Sequence, residues 1–257
     1  MVSVIIPTTT GGFGHLVQLM PQLTQEKDIE IIVIDNDSRD GSANYLSTVD
    51  CLVKFNKIKM NFSKSNNYGA KIARGEFLLF LNNDTVPTVG FVQDMLETIN
   101  RTNDVPIGIV GNLLYTLDPP KRVQHAGICF TQDYVPYELG LEISGITTQI
   151  PINDPRVSSV RRVPAVTAAC LMIRKDVFNL VGGFDEEYIN GWEDTDLNLK
   201  VRENGFDVWY TGKRPVYHKH FGSRGRFAFE KENRLRYDSI WVDTGRAKAV
   251  LQGFREA

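Results

Sequence analysis

The first hundred residues alternate between two apolar patterns. Short, nearly unbroken runs occur at VSVIIP (2–7), IEIIVID (29–35), CLVKF (51–55) and EFLLFLN (76–82). Between them lie stretches with helical apolar spacing: FGHLVQLMPQLTQ (13–25), a segment near 42–48, SKSNNYGAKIARG (63–75) and TVGFVQDMLETIN (88–100). The runs read as buried strands and the stretches as helices. Pro21 predicts a kink or split in the first helix, and Gly75 predicts the end of the third. Continuously hydrophobic strands alternating with helices predict an α/β fold, with a mostly parallel central sheet covered on both faces.

The rest of the chain is less regular. Residues 107–115 and 123–130 read as strands, and 131–158, rich in Gly, Pro, Asp and Thr, as a long loop with room for a hairpin. A strand, a short helix and a Gly-Gly turn follow in 165–188, then a helix over 192–205 closed by Gly205, then two short strands, DVWY and PVYH. An amphipathic helical stretch follows from Phe227 to Val242. The simplest division is one domain over 1–226 with a C-terminal helical extension over 227–257.

Composition narrows the class. The chain has 257 residues, 23% of them charged, and a net charge of −2 with no block of like charge. That disfavours nucleic acid as a partner. No apolar run is long enough to span a bilayer, and the N-terminus lacks the basic region of a signal peptide. Cys51, Cys129 and Cys170 form no C-x-x-C pair and read as buried thiols of a reducing compartment. A cytoplasmic location is the expectation.

Candidate chemistry sits where strands end. The run FLLFL gives way to Asn82, Asn83 and Asp84, at the end of a strand where open α/β sheets bind ligands. A lone Asp suits a hard cation held together with phosphates, though a polar turn capping the next helix also accounts for it. In NGWEDTDLNLKVRENG, Glu193, Asp194 and Asp196 crowd the start of a helix. They complement its dipole, yet Glu193 shares an apolar stripe with Leu197 and Val201, and Trp192 offers an aromatic wall. A carboxylate so placed suits a general base. Lys213, Arg214, Lys219, Arg224 and Arg226 cluster with His218 and His220, as a solvated basic loop or a diphosphate clamp. Asp35, Asn36 and Asp37 end the second strand, and His125 lies near the presumed cleft. TTTGGFG (8–14) fits neither phosphate-loop pattern, and there is no serine nucleophile elbow.

Taken in chain order, SVIIPT, IIVIDNDSRDGS, NYGAKIARGEFLLFLNNDT, FDEEYINGWEDTDLNLKVRENGF and VYHKHFGSRG resemble the family 2 glycosyltransferases of the GT-A fold, bacterial polysaccharide, O-antigen and rhamnosyltransferase members in particular. The resemblance covers about residues 2 to 226. It implies an inverting transfer from a nucleoside-diphosphate sugar, UDP- or dTDP-linked, to a glycan or lipid-linked glycan acceptor, with Mn²⁺ or Mg²⁺ as cofactor. Pro7, Thr8 and Asp35 are then expected at the nucleoside, and Asn67, Gly69, Arg74, Asn82 and Asn83 along the donor site beside Trp192. Asp84 and His218 become metal ligands, and Asp194 the base with Glu193 beside it. Asn82 stands where the family has an acidic residue, which removes one charge from the metal site. Peripheral association with the inner membrane face through other domains or partners is compatible with this picture.

Two other readings stay open at this level. A non-catalytic nucleotide-sugar or glycan-binding module of the same fold is compatible with Asn82. A nucleotide-dependent enzyme of another α/β class, such as a dehydrogenase, is opposed by the missing glycine fingerprint.

Overall fold

The computed structural model describes residues 1–57, 59–140, 149–219 and 228–254. Among these residues eleven strands form one mixed sheet. They are β1 (Val2–Thr8), β2 (Ile29–Asn36), β3 (Leu52–Asn56), β4 (Phe77–Leu81), β5 (Thr85–Pro87), β6 (Ile107–Thr116), β7 (Val123–Phe130), β8 (Pro136–Gly140), β9 (Val160–Arg162), β10 (Cys170–Arg174) and β11 (Asp207–His218). The helices are α1 (Phe13–Leu23), α2 (Ser42–Leu46), α3 (Phe62–Ile72), α4 (Phe91–Ile99), α5 (Pro155–Ser158), α6 (Lys175–Leu180), α7 (Glu193–Glu203), α8 (Glu230–Tyr237) and α9 (Arg246–Val250).

The main path runs β3-β2-β1-β4-β10-β6-β11-β5, with β7 and β8 continuing from β6 and β9 lying on β11. β1 to β4 pair in parallel, as does β6 with β11. β10 enters antiparallel between β4 and β6, and β5, β7, β8 and β9 also join antiparallel. The parallel character is therefore concentrated in the first four strands, whose crossovers are helical.

Alternate residues of those strands serve opposite cores. Ile5, Ile32, Ile34, Leu78 and Phe80 pack on one face with Ala70, Phe178 and Leu197. Val4, Ile6, Val33, Leu79 and Leu81 pack on the other with Leu16, Leu19, Phe91 and Met95. Both faces are covered, which is why these strands carry no polar alternation. A third cluster joins Tyr188 and Leu199 to Tyr237, Trp241, Ala247 and Leu251. The C-terminal segment thus packs directly on α7.

Several boundaries differ from the sequence reading. α1 runs through Pro21, which sits in its last turn, so the helix neither splits nor extends beyond Leu23. α3 stops at Ile72, ahead of Gly75. The four residues after Asp84 include the short strand β5, and helix α4 starts only at Phe91. DVWY and PVYH are one strand with a register shift between Thr211 and Val216. Part of the 131–158 loop is the β7–β8 hairpin, and residues 141–148 and Phe227 lie outside the described residues. Among the described residues no helix is long and apolar enough to cross a membrane.

Candidate active site

The pairing of β5 with β11 assembles the first part of the site. His218, the last residue of β11, is opposite Thr85, the first of β5. Asp84, one residue earlier, is therefore delivered to the imidazole, with its Oδ1 3.0 Å from His218 Nε2. The Lys219 N–H also donates to the Asp84 carbonyl at 3.0 Å. Asn82 Nδ2 lies 3.3 Å from the same His218 nitrogen, and Gln124 Nε2 lies 2.6 Å from Nδ1. Burial pushes the Asp84 carboxyl up, but the hydrogen bond and charge of His218, helped by His15, more than offset it and hold it below the usual range.

These donors fit a divalent cation. Two ligands about 2.1 Å from an octahedral ion lie about 3 Å apart, and the 3.0 Å between Asp84 and His218 matches that spacing. Two protein ligands leave room for phosphate oxygens and water, which is how such ions are commonly held. Among the described residues no group of three His, Cys, Asp or Glu could hold a metal. His220 lies outside the described residues.

Two cavities meet here. The larger, about 840 Å³, is lined by Pro7, Thr8, Gly12, Asn36, Lys59 and Asp84 among others. Gly12 is required for its shape: a Cβ there would stand 2.3 Å from Thr8 Oγ1 and 2.7 Å from Asn83 Nδ2. Asn83 itself donates to Thr8 Oγ1 at 2.9 Å, tying the end of β4 to the end of β1. Asp35 is buried at the end of β2, next to Asn36, which lines this cavity. Asp35 Oδ1 accepts from the Ser38 N–H at 2.8 Å, and its Oδ2 finds no partner among the described residues.

The smaller cavity, about 240 Å³, is lined by Asn82, Gln124, His125, Glu138, Asp194 and Trp192 among others. Helix α7 brings Asp194 to it. Asn198, one turn on, clamps Val166 from both sides, accepting from its N–H at 3.1 Å and donating to its carbonyl at 2.8 Å. The clamp sets Asp194 against the neighbouring backbone, where it accepts from Thr195 N–H at 2.7 Å and Ala168 N–H at 3.3 Å. Asp194 keeps part of its surface open to the cavity, while the surrounding protein withdraws it from bulk water. Burial pushes its carboxyl up, the charge of Glu138 adds to that, and the hydrogen bonds from Thr195, Ala168 and Thr167 only partly oppose it.

The turn before α7 is strained. Trp192 has φ +75° and Asn190 φ +51°, and a bulky residue at positive φ is uncommon. Glu193 Oε2 accepts from the Gly191 N–H at 2.6 Å and braces the turn. Trp192 Nε1 donates to Glu230 at 3.1 Å, and its ring lies 4.9 Å from that of Tyr237. The indole is thereby fixed as a cavity wall.

Not every expected residue comes to the site. Asn67 is held by Phe184 and Glu186. Gly69 faces the core, where an added Cβ would stand 2.4 Å from Ile5 Cγ2. Arg74 pairs with Glu30 at 2.9 Å, near the starts of β1 and β2 and so at the opposite end of the sheet. Of the basic cluster, Lys213 pairs with Glu97 and Arg214 with Asp94, on α4, and 220–227 lie outside the described residues. The sequence reading passed over Gly12, His15, Lys59, Gln124 and Glu138. Only Gly12 left a signal, standing just beyond the first strand in TTTGGFG.

Residues 3–179 match the model of Glycosyl transferase family 2. The chain is 30% identical over 255 residues to the uncharacterized protein y4gI of Sinorhizobium fredii, covering 88% of this chain and 25% of that protein. It is 32% identical over 168 residues to the O-antigen biosynthesis protein RfbC of Myxococcus xanthus, covering 64% of this chain and 12% of the relative. The chain thus spans a quarter or less of these relatives. Its fold is similar to that of GalNAc-T7, solved with UDP, GalNAc and Mn²⁺, with a TM-score of 0.72 at 16% identity over 94% of this chain and 48% of the other. The fold is that of the GT-A glycosyltransferases.

Proposed function

The chain belongs to glycosyl transferase family 2, and from that premise we propose that it is an inverting, metal-assisted glycosyltransferase using a nucleoside-diphosphate sugar, UDP- or dTDP-linked. One observation carries the proposal: His218, 3.0 Å from Asp84, lines the same cavity as Asp194, while Asp84 lines the larger cavity beside it.

In this reading the nucleoside occupies the larger cavity. Thr8 and Asn83 form its wall, Lys59 supplies positive charge, and Asp35, next to Asn36 at the end of β2, is the proposed carboxylate at the base or ribose. Asp84 and His218 hold the divalent cation, Mn²⁺ or Mg²⁺, which when bound neutralises charge on the leaving diphosphate. Asn82 hydrogen-bonds His218 rather than adding a charge, so donor phosphates contribute much of the cation's shell.

The transferred sugar lies in the smaller cavity, between these groups and Asp194. An acceptor hydroxyl enters on the Asp194 side, and its oxygen attacks the anomeric carbon. Its proton passes to Asp194 as the bond from that carbon to the diphosphate oxygen breaks. A carboxyl shifted upward by burial is a stronger base than an ordinary aspartate and suits this transfer. With attack opposite the leaving group and no protein nucleophile, the centre inverts. Glu193 serves by bracing the turn that carries Trp192. The acceptor is a glycan or lipid-linked glycan.

Calorimetric titration with UDP, dTDP and GDP sugars, with and without Mn²⁺, tests the reading, followed by assay of donor hydrolysis. Mn²⁺-dependent binding with turnover abolished in Asp194→Asn is expected. Binding with no turnover on any donor or acceptor favours a non-catalytic module, the reading that Asn82 leaves open.

A further inference from the structure

The two cavities differ in charge. The larger one presents Lys59 and His15 beside Asp84. The smaller one presents four carboxylates, Glu138, Glu193, Asp194 and Glu230, and neither lysine nor arginine among its described lining residues. Glu193 braces Gly191, Glu230 anchors Trp192, and Asp194 is the proposed base.

Glu138 is the fourth. It rises from β8, opposite Ile128 of β7, and its carboxylate is hydrogen-bonded by Nδ1 of His125. The His125 side chain is 1% exposed and that of Glu138 15%. His125 Nε2 has no partner among the described residues. A fully buried imidazole thus aims a carboxylate at the cavity wall. Asn82, His218, Asp194 and Glu138 all line this cavity; on the glycosyltransferase reading the first two face the leaving group and Asp194 the attacking hydroxyl, which puts the transferred sugar against Glu138. An oriented carboxylate accepts from hydroxyl and ammonium groups and repels another carboxylate.

We propose that Glu138, oriented by His125, is a specificity residue: it accepts from a hydroxyl or amino group of the transferred sugar and turns away donors whose sugar is a uronic acid. This rests on the glycosyltransferase reading.

The test is calorimetric titration of the intact chain, in Mn²⁺, with UDP, UDP-glucose and UDP-glucuronic acid, the two sugars differing only at C6. If dTDP binds and UDP does not, the dTDP pair replaces them. The uronate is expected to bind at least about tenfold more weakly than its neutral partner. Glu138→Gln closes most of that gap, and Glu138→Asp, which keeps the charge, retains it. The affinity for the free nucleotide reports that each variant is folded. Equal binding of the pair in the wild type, or an undiminished gap in Glu138→Gln, overturns the proposal. Failure of every nucleoside diphosphate to bind instead overturns the reading beneath it.

Discussion

His218 Nε2 sits 3.0 Å from Asp84 Oδ1 because the last residue of β11 pairs with the first residue of β5. His218 belongs to β11 and Asp84 immediately precedes β5, its antiparallel neighbour, so the ladder between the two strands fixes the spacing of both residues. This rigidity suits a cation site, which tolerates little error in ligand position. His218→Ala and Asp84→Asn are each expected to weaken Mn²⁺-dependent UDP binding at least about tenfold, or about 1.4 kcal/mol. The double variant is expected to lose less than the sum, since either single loss already spoils the site. Manganese titration followed by electron paramagnetic resonance, with and without UDP, measures this directly. Chelation of the metal is expected to reproduce the loss in the wild type and to change little in the variants.

Asp194 predicts a pH dependence of known sign. Burial, then the charge of Glu138, raise its carboxyl. A base works only when deprotonated, so kcat/KM falls as pH drops through that raised value, above the ordinary aspartate range. The groups facing it are Glu138 from β8, His125 behind Glu138, and the Thr167, Ala168 and Thr195 donors. Removing the Glu138 charge in Glu138→Gln relieves repulsion of the ionised form, so the acid limb is expected to move to lower pH. A pH profile of donor hydrolysis reads this, and an unmoved limb argues that Glu138 does not bear on Asp194.

What was legible in the sequence follows from which forces act locally. β1, β2 and β4 are buried on both faces, so their runs of Val, Ile, Leu and Phe announce them unaided. β5 and β9, three residues each, have no such pattern and exist only because β11 offers them partners. Asp84, Asp194 and His218 stood in recognisable segments, and they line the two adjoining cavities. Glu138 and Gln124 belong to no motif: they reach the site through the β7–β8 and β6–β7 pairings, which no short window records. Conversely, Lys213 and Arg214 looked like a phosphate clamp because they neighbour His218 in sequence. They point at Asp94 and Glu97 instead, since they lie in the irregular stretch of β11 beyond Thr211. Arg74 misled in a similar way, being near the right strand but at its starting end.

Gly12 offers a test of the larger cavity that leaves every charged group in place. An alanine there would collide with Thr8 Oγ1 and Asn83 Nδ2, forcing apart the pair that forms the cavity wall. Gly12→Ala is expected to lower UDP affinity at least about tenfold, with a stability cost of about 1–3 kcal/mol from overpacking. Gly14 is the control. It lies in α1, with nothing within 4 Å of an added Cβ. Gly14→Ala is expected to be neutral in binding and to stabilise by about 0.5–1 kcal/mol. Calorimetry and thermal melts on the two variants separate cavity shape from helix propensity.

Trp241 connects the C-terminal segment to the helix that carries Asp194. It is fully buried, and its Nε1 donates to Asp196 Oδ1 at 2.8 Å. Asp196 also accepts from Lys200 at 2.6 Å. Burial nevertheless raises the Asp196 carboxyl, with Lys200 and Trp241 opposing. Trp241→Ala is expected to cost about 3–5 kcal/mol through the cavity it leaves, and Trp241→Phe about 1–3 kcal/mol through the lost donor. The sign of the pH effect follows from the raised carboxyl. Folding favours its protonated form, so its contribution is most favourable near and below the ordinary aspartate value of 3.8 and declines as pH rises through the higher folded value. Losing the Trp241 N–H raises that folded value further, so the deficit of Trp241→Phe should be small in acid and larger near neutrality. Thermal melts of wild type and variant across that range measure the difference. If 228–254 were an independent appendage, both substitutions would spare activity; because Trp241 and Tyr237 pack with Tyr188 and Leu199, turnover is expected to fall along with stability.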